Sequence, residues 1–379
     1  MPTTVVFETG TIGDVIRKAA QVAPTKVGAA FDSASGLVFD IDPITEAKCV
    51  VRATDLSLFY LEVVDVLECA GEAVRWRLPA PVLQAVVGSM STKTSKQITF
   101  NHVGKQIEIS SGRMKARLNL ILAETYPDWN VSSDVDLVPA QDFGARLLRV
   151  EWASASGTDK NDISPLAGVL VNGTHLIATD RYRVARFPCV VPLSEPVLIP
   201  AKTLATLTSR MGEVRVGFDG HLFVVMPDPY TQLKTVVVAS KFPDLGVLLG
   251  KEFSTEVVFP KSDLIESIQR TGAFVGSDRN PVIDLYLGRG EIAVLVANHE
   301  VGLLSDVMEV PGQIEHRRCM IRFTPKYLLD ALNNAPSEMI TMRYNHEREG
   351  TGSREAVKFE APGGYEVWVS PRVETKVPA

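Results

Sequence analysis

The sequence predicts an α+β chain made of three tandem similar domains, each with two helices and antiparallel sheets. Two observations predict this. Helix-start and strand-turn signals recur in one order at a spacing near 120 residues. The stretches between them, such as "QITFNHVGKQIEIS" and "IDLYLGRGEIAVLVA", alternate apolar and polar residues, as half-buried antiparallel strands do.

The first recurring unit is a short apolar strand running into an amphipathic helix. It is read in "VVFETGTIGDVIRKAA" from Val5, "DLVPAQDFGARLLRV" from Asp136 and "VVFPKSDLIESIQRTG" from Val257. The helix-start residues expected there are Thr9 or Thr11, then Pro139, then Pro260 with Ser262. In the middle copy, Phe143, Leu147 and Val150 recur at i, i+4, i+7 and should face the sheet, with Arg146 and Arg149 off that stripe.

A second strand-to-helix signal follows in "WRLPAPVLQAVV", "VLIPAKTLATL" and "IRFTPKYLLDAL", with Pro79, Pro200 and Thr324 in corresponding places. Between the two helices lies a third echo: "VRATDLSLF", "LIATDRYRVARF" and "VLVANHEVGLL". Aromatic-Pro-Asp triplets begin at Tyr126 and Phe242 and close the first two units. The expected domains are 1–130, 131–250 and 251–379.

Composition narrows the function. A hydrophobic content of 45% without an apolar run of about 18 residues argues against a membrane span. The segment "MPTTVVFETG" lacks the pattern of a secretory signal, so a cytoplasmic location is expected. Cys49, Cys69, Cys189 and Cys319 are scattered, with no pair at metal-ligand spacing, so neither a zinc site nor a disulfide framework is expected. The net charge of −6 argues against an open, uniformly basic face.

Basic residues nevertheless recur on the helices: Arg17 and Lys18, Arg146 and Arg149, Lys202 and Arg210, Lys261 and Arg270, and Lys326. Singly, each reads as an ordinary solvated residue. If the helices of three similar units share one side, that side would attract phosphates without reading bases.

Catalytic patterns are lacking. No HExxH, nucleophile elbow or P-loop occurs among the residues, and no cofactor is expected. The GxGxxA fragment in "LGRGEIA" sits in strand-like alternation and predicts a hairpin turn rather than a dinucleotide site. "GVLLGK" is too short for a Walker A loop and reads as a linker. "TDRYR" reads as a turn capped by Asp180, and its Arg181, Tyr182 and Arg183 have the composition of an interaction hot spot.

With these residues in hand, the chain resembles the bacterial DNA polymerase III β subunit, the sliding clamp. The likeness rests on the three units, the triplets, "GVLVNGTHLIATDRYRVARF", "FTPKYLLDALNNA" and "YEVWVSPRV". The resemblance implies a DNA clamp fold forming a homodimeric ring around duplex DNA, which acts as a processivity factor without catalysis or cofactor. A clamp loader would open the ring.

It also implies a pocket for short peptides of DNA polymerase, loader and other clamp-binding-motif proteins. The matching positions are Thr179, Arg181, Tyr182, Arg183, Val184, Pro243, Leu248, Thr324, Tyr327, Val367, Trp368, Val369, Ser370, Pro371, Arg372 and Val373. This chain departs from the family at Arg181 and Tyr182, where a Gly and a His are usual, and at Ser370, where a Met precedes the proline. Lys26 and Lys160 stand near the family's other inner DNA contacts. Ala116 and Leu118 against Phe274 and Val275 match its ring contact. A phage origin would fit the divergence. The alternative reading is a repeat-built interaction adaptor without DNA encirclement, and a third is an enzyme with an unfamiliar site.

Overall fold

The computed structural model describes residues 3–24, 33–42, 48–90, 95–127, 135–155, 164–275, 281–298, 302–314, 319–346 and 355–372. Among them the first third of the chain gives β1 (Thr4–Glu8), α1 (Thr9–Val22), β2 (Leu37–Asp42), β3 (Lys48–Thr54), β4 (Leu58–Asp65), β5 (Glu68–Ala70), β6 (Val74–Leu78), α2 (Ala80–Gly88), β7 (Gln97–Val103), β8 (Gln106–Ser111) and β9 (Met114–Asn119). The middle gives β10 (Val138–Gln141), α3 (Phe143–Leu148), β11 (Val169–Val171), β12 (His175–Thr179), β13 (Arg183–Pro188), β14 (Val197–Ile199), α4 (Lys202–Thr208), β15 (Glu213–Phe218), β16 (Leu222–Asp228) and β17 (Thr231–Val236). A short α5 (Gly246–Leu249) precedes the last third: β18 (Thr255–Pro260), α6 (Lys261–Val275), β19 (Ile283–Gly288), β20 (Glu291–Asn298), β21 (Gly302–Glu309), β22 (Cys319–Phe323), α7 (Pro325–Asn333), β23 (Met339–Tyr344), β24 (Val357–Ala361) and β25 (Tyr365–Val369).

Apart from the extra β5, the element order is the same three times. The pairing is repeated as well. The strand before the first helix joins the last three strands, as β1-β7-β8-β9, β10-β15-β16-β17 and β18-β23-β24-β25. The other four give β6-β2-β3-β4, β14-β11-β12-β13 and β22-β19-β20-β21. Every pairing is antiparallel, and alternate residues of the strands, such as Val5 and Phe7 or Ile283, Leu285 and Leu287, are buried.

Sheets run on from one third to the next. β17 pairs with β4, from Thr231 opposite Glu62 to Thr235 opposite Leu58. β13 pairs with β25 in the same way, from Arg183 opposite Val369 to Arg186 opposite Glu366. Two eight-stranded sheets result, together with one of five strands and one of four. The compact units therefore cut through the middle third: one comprises 1–144 with 203–237, the other 145–202 with 238–379.

The helices use the expected faces. Phe143, Leu147 and Val150 are fully buried, as are Ile12, Val15, Ile16 and Ala19 on α1. Some start signals sit differently from the expectation, whereas that of α7 sits as expected. Glu8 is the N-cap of α1 and receives the Thr11 hydroxyl at 2.7 Å. Pro139 lies inside β10, an edge strand, where its missing N–H costs no ladder bond. Pro325 stands in the first turn of α7 after the N-cap Thr324.

The turns follow their side chains. In "TDLSL" the Thr54 hydroxyl donates to the Leu58 carbonyl, and the Asp55 carboxylate accepts from the Ser57 and Leu58 N–H groups. In "TDRYR" the Thr179 hydroxyl donates to the Arg183 carbonyl, and Asp180 accepts from the Tyr182 and Arg183 N–H groups. Leu56 and Arg181 take the same left-handed conformation, φ 73° and 79°. The third echo includes residues 299–301, outside the described residues. "LGRGEIA" is the predicted hairpin: Arg289 and Gly290 both have positive φ between β19 and β20.

Candidate functional site

The "TDRYR" turn, the 240s segment and the end of the chain meet within the second compact unit. Ile177, Val184 and Trp368 form a buried cluster on β12, β13 and β25. Phe242, Leu245, Leu248, Leu249 and Phe253 pack against it. The expected linker "GVLLGK" is thus anchored by α5, because its leucines find an apolar sheet face. Val247 on the opposite side is 95% exposed.

Beside this cluster is a cavity of about 130 Å³, lined by Leu166, Thr179, Arg181, Arg183, Val184, Pro243, Leu245, Leu248, Trp368 and Ser370. Eight residues proposed from sequence therefore share one concavity. Leu166 and Leu245 were missed. Leu245 lies two residues beyond Pro243 in the same apolar run, a signal that could have found it. Val367 and Val369 are buried in β25, Pro371 is half-buried, and Val373 lies outside the described residues.

The cavity's rim is built around Arg183. It is buried, although charged, because its partners surround it: the Asp180 carboxylate at 3.0 Å, the Asp330 carboxylate and the Trp152 carbonyl at 3.2 Å. Its guanidinium also lies over the rings of Tyr327 and Trp152, at 4.7 and 5.0 Å. Tyr182, 58% exposed, stacks on Tyr327 with centroids 5.8 Å apart. Burial, reinforced by Asp180, holds the Tyr327 hydroxyl above its ordinary pKa, so it remains a neutral donor at neutral pH. The segment following β25 is tied down beside this rim: Ser370 N–H donates to the Tyr182 carbonyl, and Arg372 N–H to the Arg322 carbonyl. The arrangement is an apolar slot rimmed by stacked rings and cations, a composition typical of interaction surfaces.

The helix cations fall into two groups. Arg146 donates to the Pro188 carbonyl at 2.8 Å, Arg149 to Asn334 at 3.0 Å and Lys261 to Ala335 at 2.8 Å. These three hold ends of the backbone in place, a role their position off the helix stripe did not reveal. Others meet carboxylates: Arg17 and Lys18 share Asp14, Arg270 meets Glu266 and Asp306, and Lys326 meets Asp330. Lys202, near the half-buried Glu151 carboxyl, and Arg210 are exposed. Lys26 and Lys160 lie outside the described residues.

Among the eight edge strands of the described sheets are β9, with the half-buried Ala116 and the buried Leu118, and β21. β21 exposes Leu303 and Val307. Phe274, half-buried, and Val275 end the helix α6 that packs on β20 and β21.

No family model matches the chain. The β sliding clamp of Streptococcus pneumoniae is 23% identical over 252 residues, covering 63% of this chain and 66% of its own length. That of Bacillus subtilis is 25% identical over 237 residues, 59% of this chain and 62% of its own. The match to each of these two relatives thus spans a little under two thirds of the relative's length. Among solved structures, the DNA polymerase III β subunit of Thermotoga maritima aligns with 98% of this chain and 100% of its own, with TM-score 0.84 and 20% identity. The chain has the sliding-clamp fold.

Its sequence is similar to those clamps at low identity. A Pseudomonas aeruginosa sliding clamp bound to griselimycin aligns as broadly, over 99% of this chain with TM-score 0.81 at 19% identity. Against the clamp resemblance, the departures at Arg181, Tyr182 and Ser370 all fall on this cavity or the ring stack beside it.

Proposed function

We propose that the chain is a DNA sliding clamp: a non-enzymatic processivity factor, acting in the cytoplasm, that closes around duplex DNA as a homodimer and tethers DNA polymerase and other partners through the cavity near Trp368. A clamp loader would open it. The repeats at 1–130, 131–250 and 251–379 are its three domains.

One observation carries this reading, the rule by which the thirds join. β4 pairs with β17 of the following third, and β13 with β25 of the following third. In the repeated pairing, β21 occupies the place of β4 and β13, and β9 that of β17 and β25. The rule is completed when β21 of one copy pairs with β9 of a second. Ala116 and Leu118 against Phe274 and Val275 would lie at that junction. Two such head-to-tail contacts close a dimer, whereas an unclosed one would give a filament. The exposed faces of the two ends carry opposite charge: β9 has Lys115 and Arg117, 72% and 60% exposed in their side chains although both meet Glu108, and β21 has the exposed Glu309.

Scattering or sizing is expected to give a particle of about twice 41.3 kDa, and a compact monomer at all concentrations would overturn the assembly. Loaded protein should stay on nicked circular DNA and leave after linearisation. Equal retention on both would mean ordinary binding instead of enclosure.

The adaptor reading draws on one observation, the internal acceptors that engage Arg146, Arg149, Lys261, Arg270 and Lys326. A K202A/R210A variant tests it without disturbing those contacts. The clamp should lose about one or two units of salt slope in DNA association, one per phosphate contact removed. No change would favour the adaptor.

A further inference from the structure

We propose that the cavity beside Trp368 selects extended peptides whose apolar anchors are flanked by carboxylates, and that Arg181, together with Arg372, reads those carboxylates. This rests on the pocket reading above and adds to it the chemistry of the partner.

The inventory of charge at the rim points to it. Asp180 is engaged: one oxygen accepts the N–H groups of Tyr182 and Arg183, the other the Arg183 guanidinium. Asp330 is shared between Arg183 and Lys326. Asp244, on the segment after Pro243, accepts the Gly246 N–H. By contrast, Arg181 lines the cavity and is exposed. Arg372 is exposed too, and among the described residues its guanidinium meets only the Thr324 hydroxyl, at 3.4 Å. Trp368, on the wall, has its indole N–H buried without an acceptor among the described residues. The unanswered side-chain groups named here are donors, so the complementary ligand supplies acceptors and negative charge.

The turn itself does not call for a cation. The same hydrogen bonds and nearly the same left-handed backbone hold Leu56 in the twin turn of the first third. An apolar side chain therefore suffices for the conformation, which is uncommon for any residue but glycine. What distinguishes Arg181 is the cavity. The turn's four hydrogen bonds fix its Cα, so the guanidinium is presented from a rigid base beside the apolar wall of Val184, Leu248 and Trp368.

The test uses two fluorescein-labelled peptides with identical Leu and Phe anchors, one flanked by Asp and the other by Asn, with full-length protein and anisotropy as the readout. The Asp peptide is expected to bind about five- to tenfold tighter at low salt, with the difference shrinking towards unity near ~0.5 M salt. Arg181→Gln, folded by circular dichroism, should remove most of that preference, with the Asp peptide losing more affinity than the Asn peptide.

Equal binding of the two peptides would overturn the selectivity and leave the pocket standing. A preference that survives Arg181→Gln would overturn the assignment to Arg181. If neither peptide binds, the pocket reading falls and the inference with it. If labelled oligothymidylate binds with the same Arg181 dependence and displaces the Asp peptide, the cations serve a nucleic acid and the peptide assignment is overturned.

Discussion

Arg183→Ala is expected to destabilise the second compact unit by about 3 kcal/mol, read as an earlier urea transition of the full chain, and to abolish peptide binding at the cavity. The side chain is 6% exposed, and Asp180 and Asp330, at 13% and 28%, depend on it for their countercharge. Its removal leaves two carboxylates facing a partly desolvated pocket, with Lys326 the only other ion-pair partner of Asp330 among the described residues. The guanidinium is also the filling between the Tyr327 and Trp152 rings, so a packing loss adds to the electrostatic one. Arg183→Lys restores the charge but neither the forked donors nor the planar stacking, and should recover only a small part of the stability. A loss below about 1 kcal/mol would mean that water replaces the guanidinium, and that the rim is not built around it.

The same residue shows what the sequence could carry. "TDRYR" announced a turn through Thr179 and Asp180, and the hydrogen bonds are those such residues make to a nearby backbone. The three-fold repeat was equally readable, because period and order survive even where identities do not. Phe143, Leu147 and Val150 face the core as their spacing predicts.

Long-range partners were not readable. Nothing local in Arg183 names Asp330 or Trp152, and nothing local in Arg146 names the Pro188 carbonyl. Nor does any local signal say that β17 will pair with β4 and β13 with β25, since an edge strand in sequence looks the same whether its outer side meets solvent or another strand. Hence the repeats were legible, whereas the compact units, which divide the middle repeat between them, were not. Pro139 misled for a related reason: a proline tolerated at an edge strand carries the same letter as one that opens a helix.

Two glycines at corresponding places in the first and second repeats should respond to alanine with opposite signs. Each follows the first buried residue of its helix stripe, Gly13 after Ile12 and Gly144 after Phe143. On α3, a Cβ at Gly144 would fall 2.3 Å from the carbonyl carbon, carbonyl oxygen and hydroxyl of Thr208 at the end of α4. Thr208 cannot step aside, being fully buried with its hydroxyl donating to the Leu204 carbonyl at 2.7 Å. The obstacle is backbone, so α3 and α4 must separate, and Gly144→Ala is expected to cost about 3 kcal/mol. On α1, a Cβ at Gly13 would meet only Val87, at an ordinary 3.7 Å. There the helix gains propensity without a clash, and Gly13→Ala is expected to stabilise by about 0.5–1 kcal/mol. The third repeat has a side chain at this place, the half-buried Ile265, so the repeat as such does not demand glycine. Paired urea titrations of the two variants decide the matter: equal stabilisation of both would mean that helix propensity alone governs the two sites, and that the close approach of α3 to α4 is not what Gly144 provides.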